Sequence, residues 1–282
     1  MMDLGMNFAL QNEKIRLFTL EGSLTNKNIP KDEFQDYDFS YFVTDIEFFK
    51  KSDEWLDYFG KRIMMQKPEA MELFPAELGN WFSYLMIFED GTKMDLTLIP
   101  LDEYEDYFQN SDGLVEVLLD KDNLIKEPVI ASDQKYRIQK PSNQSFDDCC
   151  NEFWFTATYV AKGLARKEIL FAIDIMNGYF RPNLLTMLRW KIGIETNFSL
   201  SIGKSDKFLK KYVSDSTWST LLSTYDMGSY EKMWDALYTS FELFRETSLH
   251  IAETLGYTYP DYDEKVSRYV DEIRQKYYVT GK

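Results

Sequence analysis

The segment Leu20-Glu21-Gly22-Ser23 ends one strand candidate, and the segment Phe34-Gln35-Asp36-Tyr37-Asp38 opens the next one, which runs from Gln35 to Thr44. Asp36 and Asp38 are two residues apart, so on a strand their side chains point to the same face. Their Cα atoms then lie roughly 6.5–7 Å apart. Two carboxylates at that spacing repel each other unless a cation lies between them. The pair therefore predicts a cation site at the start of the second strand.

A third acidic residue, Asp95, lies in the second strand of a predicted β-hairpin. The strand-like runs Trp81 to Phe88 and Lys93 to Leu101 are joined by Asp90-Gly91, a residue pair preferred in type I′ turns. Asp95 alternates with apolar neighbours on both sides, so it projects to the opposite face from them. An acidic residue in the middle of a strand is disfavoured by propensity. The presence of Asp95 there therefore indicates that something in its local surroundings favours it.

A Gly-Ser turn, an Asp-x-Asp pair and a lone Asp on a later strand form the layout of a two-metal phosphoryl or nucleotidyl transfer site. The backbone at Gly22 can approach a phosphate closely, and the Ser23 hydroxyl can donate to it. The carboxylates would hold Mg²⁺, which neutralises a triphosphate and its developing charge. A simpler alternative stays open, because a chain with 47 acidic residues contains some Asp-x-Asp pairs by chance and Gly-Ser is an ordinary turn.

Composition narrows the classes of partner. The 282 residues carry 32 Lys and Arg against 47 Asp and Glu, a formal net charge of −15. This charge argues against nucleic acid, which needs a basic surface, and against anionic membranes. It suits a cationic partner, whose local concentration a negative field raises. Neither a signal peptide nor an apolar run long enough for a membrane span is expected.

Histidine and cysteine are scarce. The chain has one histidine, His250, and two adjacent cysteines, Cys149 and Cys150. A disulfide framework is therefore excluded, and a reducing cytoplasm is the expected compartment. We expect both cysteines to be buried small residues rather than a redox pair. Metal chemistry would have to use carboxylates and hence a hard cation such as Mg²⁺.

The pattern predicts an α+β fold with two domains. The segment Ser132 to Ser145 is polar and marks the boundary, giving a domain at 1–140 with a mixed sheet flanked by helices and an all-helical domain at 141–282. Pro182 is well placed at the start of one helix. Helical spacing in the second domain predicts Phe146–Leu164, Lys167–Tyr179, Pro182–Ile194, Ser205–Val213, Ser229–Leu255 and Tyr262–Tyr277.

The Gly-Ser and Asp-x-Asp segments resemble the signature of the DNA polymerase β-like nucleotidyltransferase superfamily. Over nearly its full length the chain more narrowly resembles the aminoglycoside 6-adenylyltransferases, resistance enzymes that modify streptomycin. Beyond these two segments, the resemblance is carried by Phe39 to Asp45, Arg62 to Glu69, Met71 to Pro75, Met94 to Pro100, Asp147 to Trp154, Tyr159 to Leu164, Arg181 to Leu185 and Tyr259 to Asp263.

The resemblance implies transfer of AMP from ATP to a streptomycin hydroxyl, with release of pyrophosphate and inactivation of the antibiotic. It places Mg²⁺ on Asp36 and Asp38 and the terminal phosphates at Gly22 and Ser23. Asp95 would ligate the metal, accept the proton of the attacking hydroxyl, or do both.

One residue departs from the family pattern: Leu24 stands where the family usually has arginine. Loss of a cation beside the triphosphate keeps a second reading open, in which a degenerate member binds nucleotide or aminoglycoside without efficient turnover. Three mutually repelling carboxylates weigh against a pure binder. Transfer to another aminoglycoside or to a protein hydroxyl is a further alternative.

The helical domain is expected to supply the other wall of the cleft. Arg181 and Lys204 are its candidates for ATP binding, with ordinary surface charge as the alternative for each. Because streptomycin carries guanidinium groups, its pocket should be lined by carboxylates and aromatics. The candidates are Glu152, Trp154 and Asp174, and Trp154 fits the hydrophobic core equally well.

Overall fold

The computed structural model describes residues 1–279 of the chain. It divides into two compact units, Met1–Lys135 and Tyr136–Lys282. The division falls inside the polar segment from which a boundary was predicted, while the domain assignment 1–140 and 141–282 remains a prediction. No helix within residues 1–279 combines the length and apolar character that crossing a bilayer requires.

The first unit is built on a six-stranded sheet in the order β3-β4-β5-β2-β1-β6. Strands β2 and β5 pair in parallel, and the other neighbours pair antiparallel. The sheet is mixed, as predicted. The strands are β1 (Ile15–Glu21), β2 (Tyr37–Val43), β3 (Arg62–Gln66), β4 (Phe82–Phe88), β5 (Lys93–Pro100) and β6 (Val115–Asp120). The helices of this unit are α1 (Met2–Gln11), α2 (Ile46–Lys50) and α3 (Tyr104–Asn110).

The two faces of this sheet have different coverings. One face carries Phe18, Phe39 and Tyr41, and these side chains pack with Ala9 of α1 and Phe49 of α2. The opposite face buries Leu17, Phe42 and Ile99 with Tyr107 of α3. Strand alternation produces both cores because successive side chains point to opposite faces. On the second face, the apolar cover does not continue along the full length of the strands.

The helical spacing of Phe49, Leu56 and Phe59 predicts one helix from Ile46 to Phe59, and this prediction is wrong in its second half. Only α2 is α-helical, and Glu54–Phe59 forms a 3₁₀ turn. Between them the Ser52 hydroxyl accepts a hydrogen bond from the Glu54 amide at 3.2 Å. Such local bonds from serine to nearby backbone compete with a continuous helix.

The second unit is helical, which confirms the all-helical prediction. Its apolar core joins residues from every long helix. The helices are α4 (Asn143–Ala165), α5 (Ile169–Ile175), α6 (Arg181–Glu195), α7 (Asp215–Ser223), α8 (Tyr230–Leu255) and α9 (Tyr262–Arg274).

Two predictions about this unit are corrected. The helices predicted on either side of Pro182 are not separate, because a π-helical turn, Met176–Phe180, joins α5 to α6. A wider turn accommodates a proline that has no amide proton to donate. The helix predicted at Ser205–Val213 is replaced by two short 3₁₀ turns, and Ser205 has a left-handed φ of 56°. Asp206 is held there by Arg189 through bonds of 2.6 and 3.0 Å.

Candidate functional site

Three acidic residues form a row across the middle of the sheet. Glu21 on β1 is the register partner of Asp38 on β2, and Asp38 is the register partner of Asp95 on β5. Register partners on neighbouring strands share a face, so these side chains stand side by side. Asp36 directly precedes β2. The structure thus brings together the three aspartates expected from the sequence and adds Glu21. We call these four residues, Glu21, Asp36, Asp38 and Asp95, the carboxylate row.

A lysine lies within this row. The ammonium of Lys93 donates to Asp36 Oδ2 at 2.7 Å and to Asp95 Oδ2 at 3.0 Å. Lys93 and Asp95 are two residues apart on β5, which places both side chains on the face of the carboxylate row. A protein cation therefore links two of the carboxylates for which a metal was predicted.

The turn after β1 holds Gly22 against Asp38. Gly22 has φ of +70°, and a Cβ added there would collide with a carboxylate oxygen of Asp38. Its amide donates to the Leu114 carbonyl at 2.9 Å, and its carbonyl accepts from the Thr25 hydroxyl at 2.9 Å. Glycine is required at this position by both conformation and space.

The two motif segments are also tied to each other. The side-chain amide of Gln35 donates to the carbonyl of Ser23 at 3.1 Å. The bond holds the loop before Asp36 beside the Gly-Ser turn. The turn and the carboxylates are thus positioned by contacts within the first unit alone.

Burial, together with the neighbouring charges, shifts the pKa values of the carboxylate row and of Lys93. The pKa of Asp38 is raised to about 6 by burial, and then by the charges of Asp95, Glu21 and Asp36. Burial also raises the pKa of Glu21, although hydrogen bonds from Ser40 and Tyr107 oppose the shift. Burial tends to lower the pKa of Lys93, but the bonds to Asp36 and Asp95 outweigh it and the pKa is raised. The row is therefore a site that favours added positive charge.

A band of hydroxyl groups separates the row from the apolar core behind it. Thr19, Ser40 and Thr97 are register partners two residues along from the row, and Ser83 continues the band on β4. Thr97 and Ser83 share a hydrogen bond of 3.0 Å, and the Ser40 hydroxyl donates to Glu21. Thr19 bonds to the Tyr107 hydroxyl at 3.1 Å, so every hydroxyl of the band has a partner and Glu21 is supported on this buried side.

Carboxylate oxygens are the ligands that Mg²⁺ prefers, so the donor set fits a hard cation. Asp95 Oδ1 is buried and has no hydrogen-bond partner among the described residues, an atom that a further ligand would satisfy. As arranged, no three acidic, histidine or cysteine side chains within residues 1–279 form a ready group of metal ligands. Asp36 and Asp95 instead direct oxygens at the ammonium of Lys93, which already acts as the cation of the site.

Leu24, the residue that departs from the family pattern, ends the Gly22–Leu24 turn. Its side chain is half-buried and packs against the aromatic core on the face opposite the carboxylate row. The apolar side chain therefore stabilises the turn by packing against the core, and it places no positive charge beside Ser23.

Arg181, predicted to bind nucleotide, has its donors engaged inside the helical unit. The residue is 2% exposed, and its guanidinium donates to Asn177, to the Thr224 carbonyl at 2.5 Å and to the Thr224 hydroxyl at 3.5 Å. It also lies 3.8 Å above the centre of the Tyr225 ring. These contacts describe a residue that joins two helical segments, and its nucleotide role stays a prediction.

The remaining predicted binding residues of the helical unit comprise one buried side chain and three exposed ones. Trp154 is 1% exposed, packs on Phe241 and donates its indole N–H to the Tyr259 hydroxyl at 3.2 Å. It is a core residue, which was one of its two predicted roles. The other three side chains are exposed: Glu152 on α4, Asp174 on α5 and Lys204 on a three-residue 3₁₀ turn.

Both cysteines are free and buried, as predicted. Burial raises the pKa of the Cys149 thiol to about 12 and raises that of Cys150 as well. Neither thiol is suited to nucleophilic or redox chemistry at neutral pH.

Two residues of the site were missed by the sequence argument, Glu21 and Lys93. Each had a local signal. Glu21 directly precedes the Gly-Ser pair, and Lys93 shares the strand face of Asp95 through the two-residue alternation. Neither signal distinguishes a site residue from an ordinary charged residue at a strand end until the register is known.

The carboxylate row beside a Gly-Ser turn on a mixed sheet has the layout that the sequence predicted for a nucleotidyl transfer site. A family model described as streptomycin adenylyltransferase matches residues 1–273, so the chain belongs to that family. The predicted family membership is confirmed.

Curated relatives agree. An aminoglycoside 6-adenylyltransferase of Bacillus subtilis (strain 168) is 59% identical over 273 residues, 97% of this chain and 96% of the relative. One from Campylobacter jejuni is 54% identical, covering 98% of this chain and 95% of the relative, and one from Staphylococcus aureus is 46% identical, covering 95% of each. A crystal structure of an aminoglycoside 6-adenyltransferase from Bacillus subtilis is 55% identical, covers 97% of both chains and has a TM-score of 0.49.

Proposed function

We propose that this chain is a Mg²⁺-dependent adenylyltransferase that moves AMP from ATP to a hydroxyl of streptomycin and releases pyrophosphate. The observation that supports it most is the carboxylate row, in which Asp38 and Asp95 are register partners next to the Gly-Ser turn. Membership of a family described as streptomycin adenylyltransferase supports the choice of substrate. The reaction would inactivate the antibiotic in a reducing cytoplasm.

Asp36, Asp38 and Asp95 are the residues that would hold Mg²⁺. When bound, the ion neutralises the triphosphate and the charge that develops on it. Burial and then the neighbouring carboxylates raise the pKa of Asp38, and a cation held there would offset the repulsion from those carboxylates, so the protein residues favour such a ligand.

Gly22 and Ser23 would bind the terminal phosphates. The left-handed backbone of Gly22 has no side chain in the way, so a phosphate can approach the turn closely. The Ser23 hydroxyl supplies a further donor. This contact orients the α-phosphorus relative to the carboxylates.

Asp95 would accept the proton of the attacking hydroxyl. The hydroxyl oxygen forms a bond to the α-phosphorus, the bond from that phosphorus to the bridging oxygen breaks, and the electron pair leaves on pyrophosphate. Because Asp95 Oδ1 is buried, Oδ2 is the atom that receives the proton. Oδ2 is also the atom that Lys93 contacts, so the ammonium must withdraw before the proton moves.

The charge of −15 favours a polycationic substrate over nucleic acid. Glu152 and Asp174 are exposed carboxylates able to receive guanidinium groups, and Lys204 is an exposed cation able to meet phosphate. The burial of Trp154 favours a supporting role in the core over direct contact with the drug.

A second function, binding without turnover, is favoured by the position of Leu24. Its side chain packs on the core and supplies no charge to the triphosphate. Incubation of the protein with ATP, Mg²⁺ and a panel of aminoglycosides, followed by mass spectrometry of each drug, separates the two. Adenylylated streptomycin supports the transferase, whereas unmodified drug together with measurable binding supports the binder.

A further inference from the structure

Lys93 contacts two carboxylates at once. Its ammonium reaches one carboxylate on its own strand, Asp95, and a second one that precedes β2, Asp36. Neither of these aspartates forms a salt bridge with another cation in the part of the chain described. The side chains of all three residues are 28–38% exposed, so water and small ions have access to the bonds.

The ammonium of Lys93 lies where the proposed function places the metal. It is held by Oδ2 of Asp36 and by Oδ2 of Asp95, and both carboxylates belong to the residues that the proposed function assigns to the metal. Charge-assisted hydrogen bonds of this kind are strong, and an oxygen facing an ammonium is less available to a second cation. Asp38 takes no hydrogen bond from Lys93, and the charge of Lys93 only partly offsets the repulsion from Asp95, Glu21 and Asp36.

We propose that Lys93 is a built-in counter-ion that occupies the carboxylate row before the metal binds and competes with the metal for Asp36 and Asp95. The inference rests on the proposed function. Lys93 lowers the repulsion among the carboxylates in the metal-free protein and reduces the affinity of the row for a divalent cation. Binding of metal then requires the flexible lysine side chain to turn outward, where its charge can meet the anionic nucleotide.

The test is a titration of the nucleotide-free protein with MnCl₂, with free Mn²⁺ followed by electron paramagnetic resonance. Lys93→Met removes the ammonium and keeps a side chain of similar length. We expect Lys93→Met to bind Mn²⁺ about tenfold more tightly than the wild type, because one competing charge-assisted contact is gone. We also expect its metal-free melting temperature to fall by about 2–4 °C, since the carboxylates are left uncompensated.

Lys232→Met is the matched control. Lys232 contacts one carboxylate, Asp226, in an exposed pair at 3.0 Å outside the site. This variant should bind Mn²⁺ as the wild type does. Adding Asp95→Asn to Lys93→Met should remove the gain, which assigns the bound ion to the carboxylate row. Lys93→Gln serves the same comparison if the methionine variant does not fold.

Equal or weaker Mn²⁺ binding by Lys93→Met overturns the inference, as does the absence of Mn²⁺ binding in both proteins. Release of pyrophosphate by the wild type is measured in parallel. If the wild type turns over and Lys93→Met binds Mn²⁺ unchanged, the counter-ion role fails and the proposed function stands. If the wild type does not turn over, the proposed function fails irrespective of what the titration shows.

Discussion

Asp38 and Asp95 stand side by side on one face of the sheet, as register partners on two parallel strands that are far apart in sequence. The parallel pair lies in the middle of the sheet and is flanked by antiparallel neighbours. This relationship turns two separate acidic residues into one site, and Gly22 closes it on one side. Most of what can be tested about the protein depends on this arrangement.

Gly22→Ala should disrupt the site and reduce stability. The left-handed backbone costs an alanine about 1 kcal/mol, and the added Cβ must also displace the Asp38 carboxylate. We expect transfer to fall about 100-fold, because small displacements of catalytic groups are that costly. Gly91→Ala in the hairpin turn is the control, since Gly91 has φ of +84° and no atom within 4 Å of an added Cβ. Equal losses in the two variants would show that contact with Asp38 is unimportant.

Leu24→Arg introduces the arginine that the resemblance predicts at this position. A guanidinium beside Ser23 is expected to lower the KM for ATP about tenfold, the effect of one hydrogen bond to a charged group. Withdrawal of a half-buried leucine from the core should cost about 1 kcal/mol in the free energy of unfolding. Leu24→Met keeps the packing and should leave both quantities near wild type. An unchanged or higher KM for ATP in Leu24→Arg would mean that position 24 only shapes the turn.

Arg181→Lys tests whether this buried arginine binds nucleotide or supports the helical unit. Lysine cannot make the several directed bonds to Thr224 and Asn177, so we expect a loss of about 2–4 kcal/mol in stability with little change in the KM for ATP. Arg166→Lys, at an exposed position after α4, should change neither quantity. A raised KM at unchanged melting temperature would assign Arg181 to the nucleotide.

The burial of the two cysteines can be tested by thiol labelling and by the pH dependence of stability. Because burial raises the pKa of Cys149 to about 12 in the folded protein, very little of this thiol is ionised at pH 8. A disulfide reagent should therefore label the native protein slowly and the denatured protein within minutes. The unfolded chain releases these protons first, so stability should fall as pH rises above about 8.5. Rapid labelling of both thiols in native protein would contradict their burial.

Local signals were enough for most of the fold. The Asp90-Gly91 turn and the alternating strands on either side of it predict the β4–β5 hairpin, because all of its determinants are adjacent in sequence. The helices α4 and α8 follow from their apolar spacing in the same way. The segment Ser205–Val213 was wrongly predicted as a helix, because the bond between Arg189 and Asp206 is a tertiary contact that spacing cannot show.

The candidate site was predictable only in part. Residue types indicated Asp36, Asp38 and Asp95, but the parallel pairing that brings Asp95 beside Asp38 depends on the strand order of the whole sheet. The contact between Lys93 and Asp36 depends on the same pairing. Lys93 was therefore not predicted as a site residue from the sequence, although it contacts two of the three aspartates.

The most direct test compares wild type and Asp95→Asn for pyrophosphate release in the presence of ATP, Mg²⁺ and streptomycin, with the drug analysed by mass spectrometry. The wild type should release pyrophosphate and add the mass of one adenylyl group to streptomycin. Asp95→Asn should do neither while its circular dichroism spectrum matches that of the wild type, because the substitution keeps the shape and removes the proton acceptor. Near wild-type adenylylation by Asp95→Asn, or streptomycin binding without pyrophosphate release by the wild type, would contradict the proposed function of the carboxylate row.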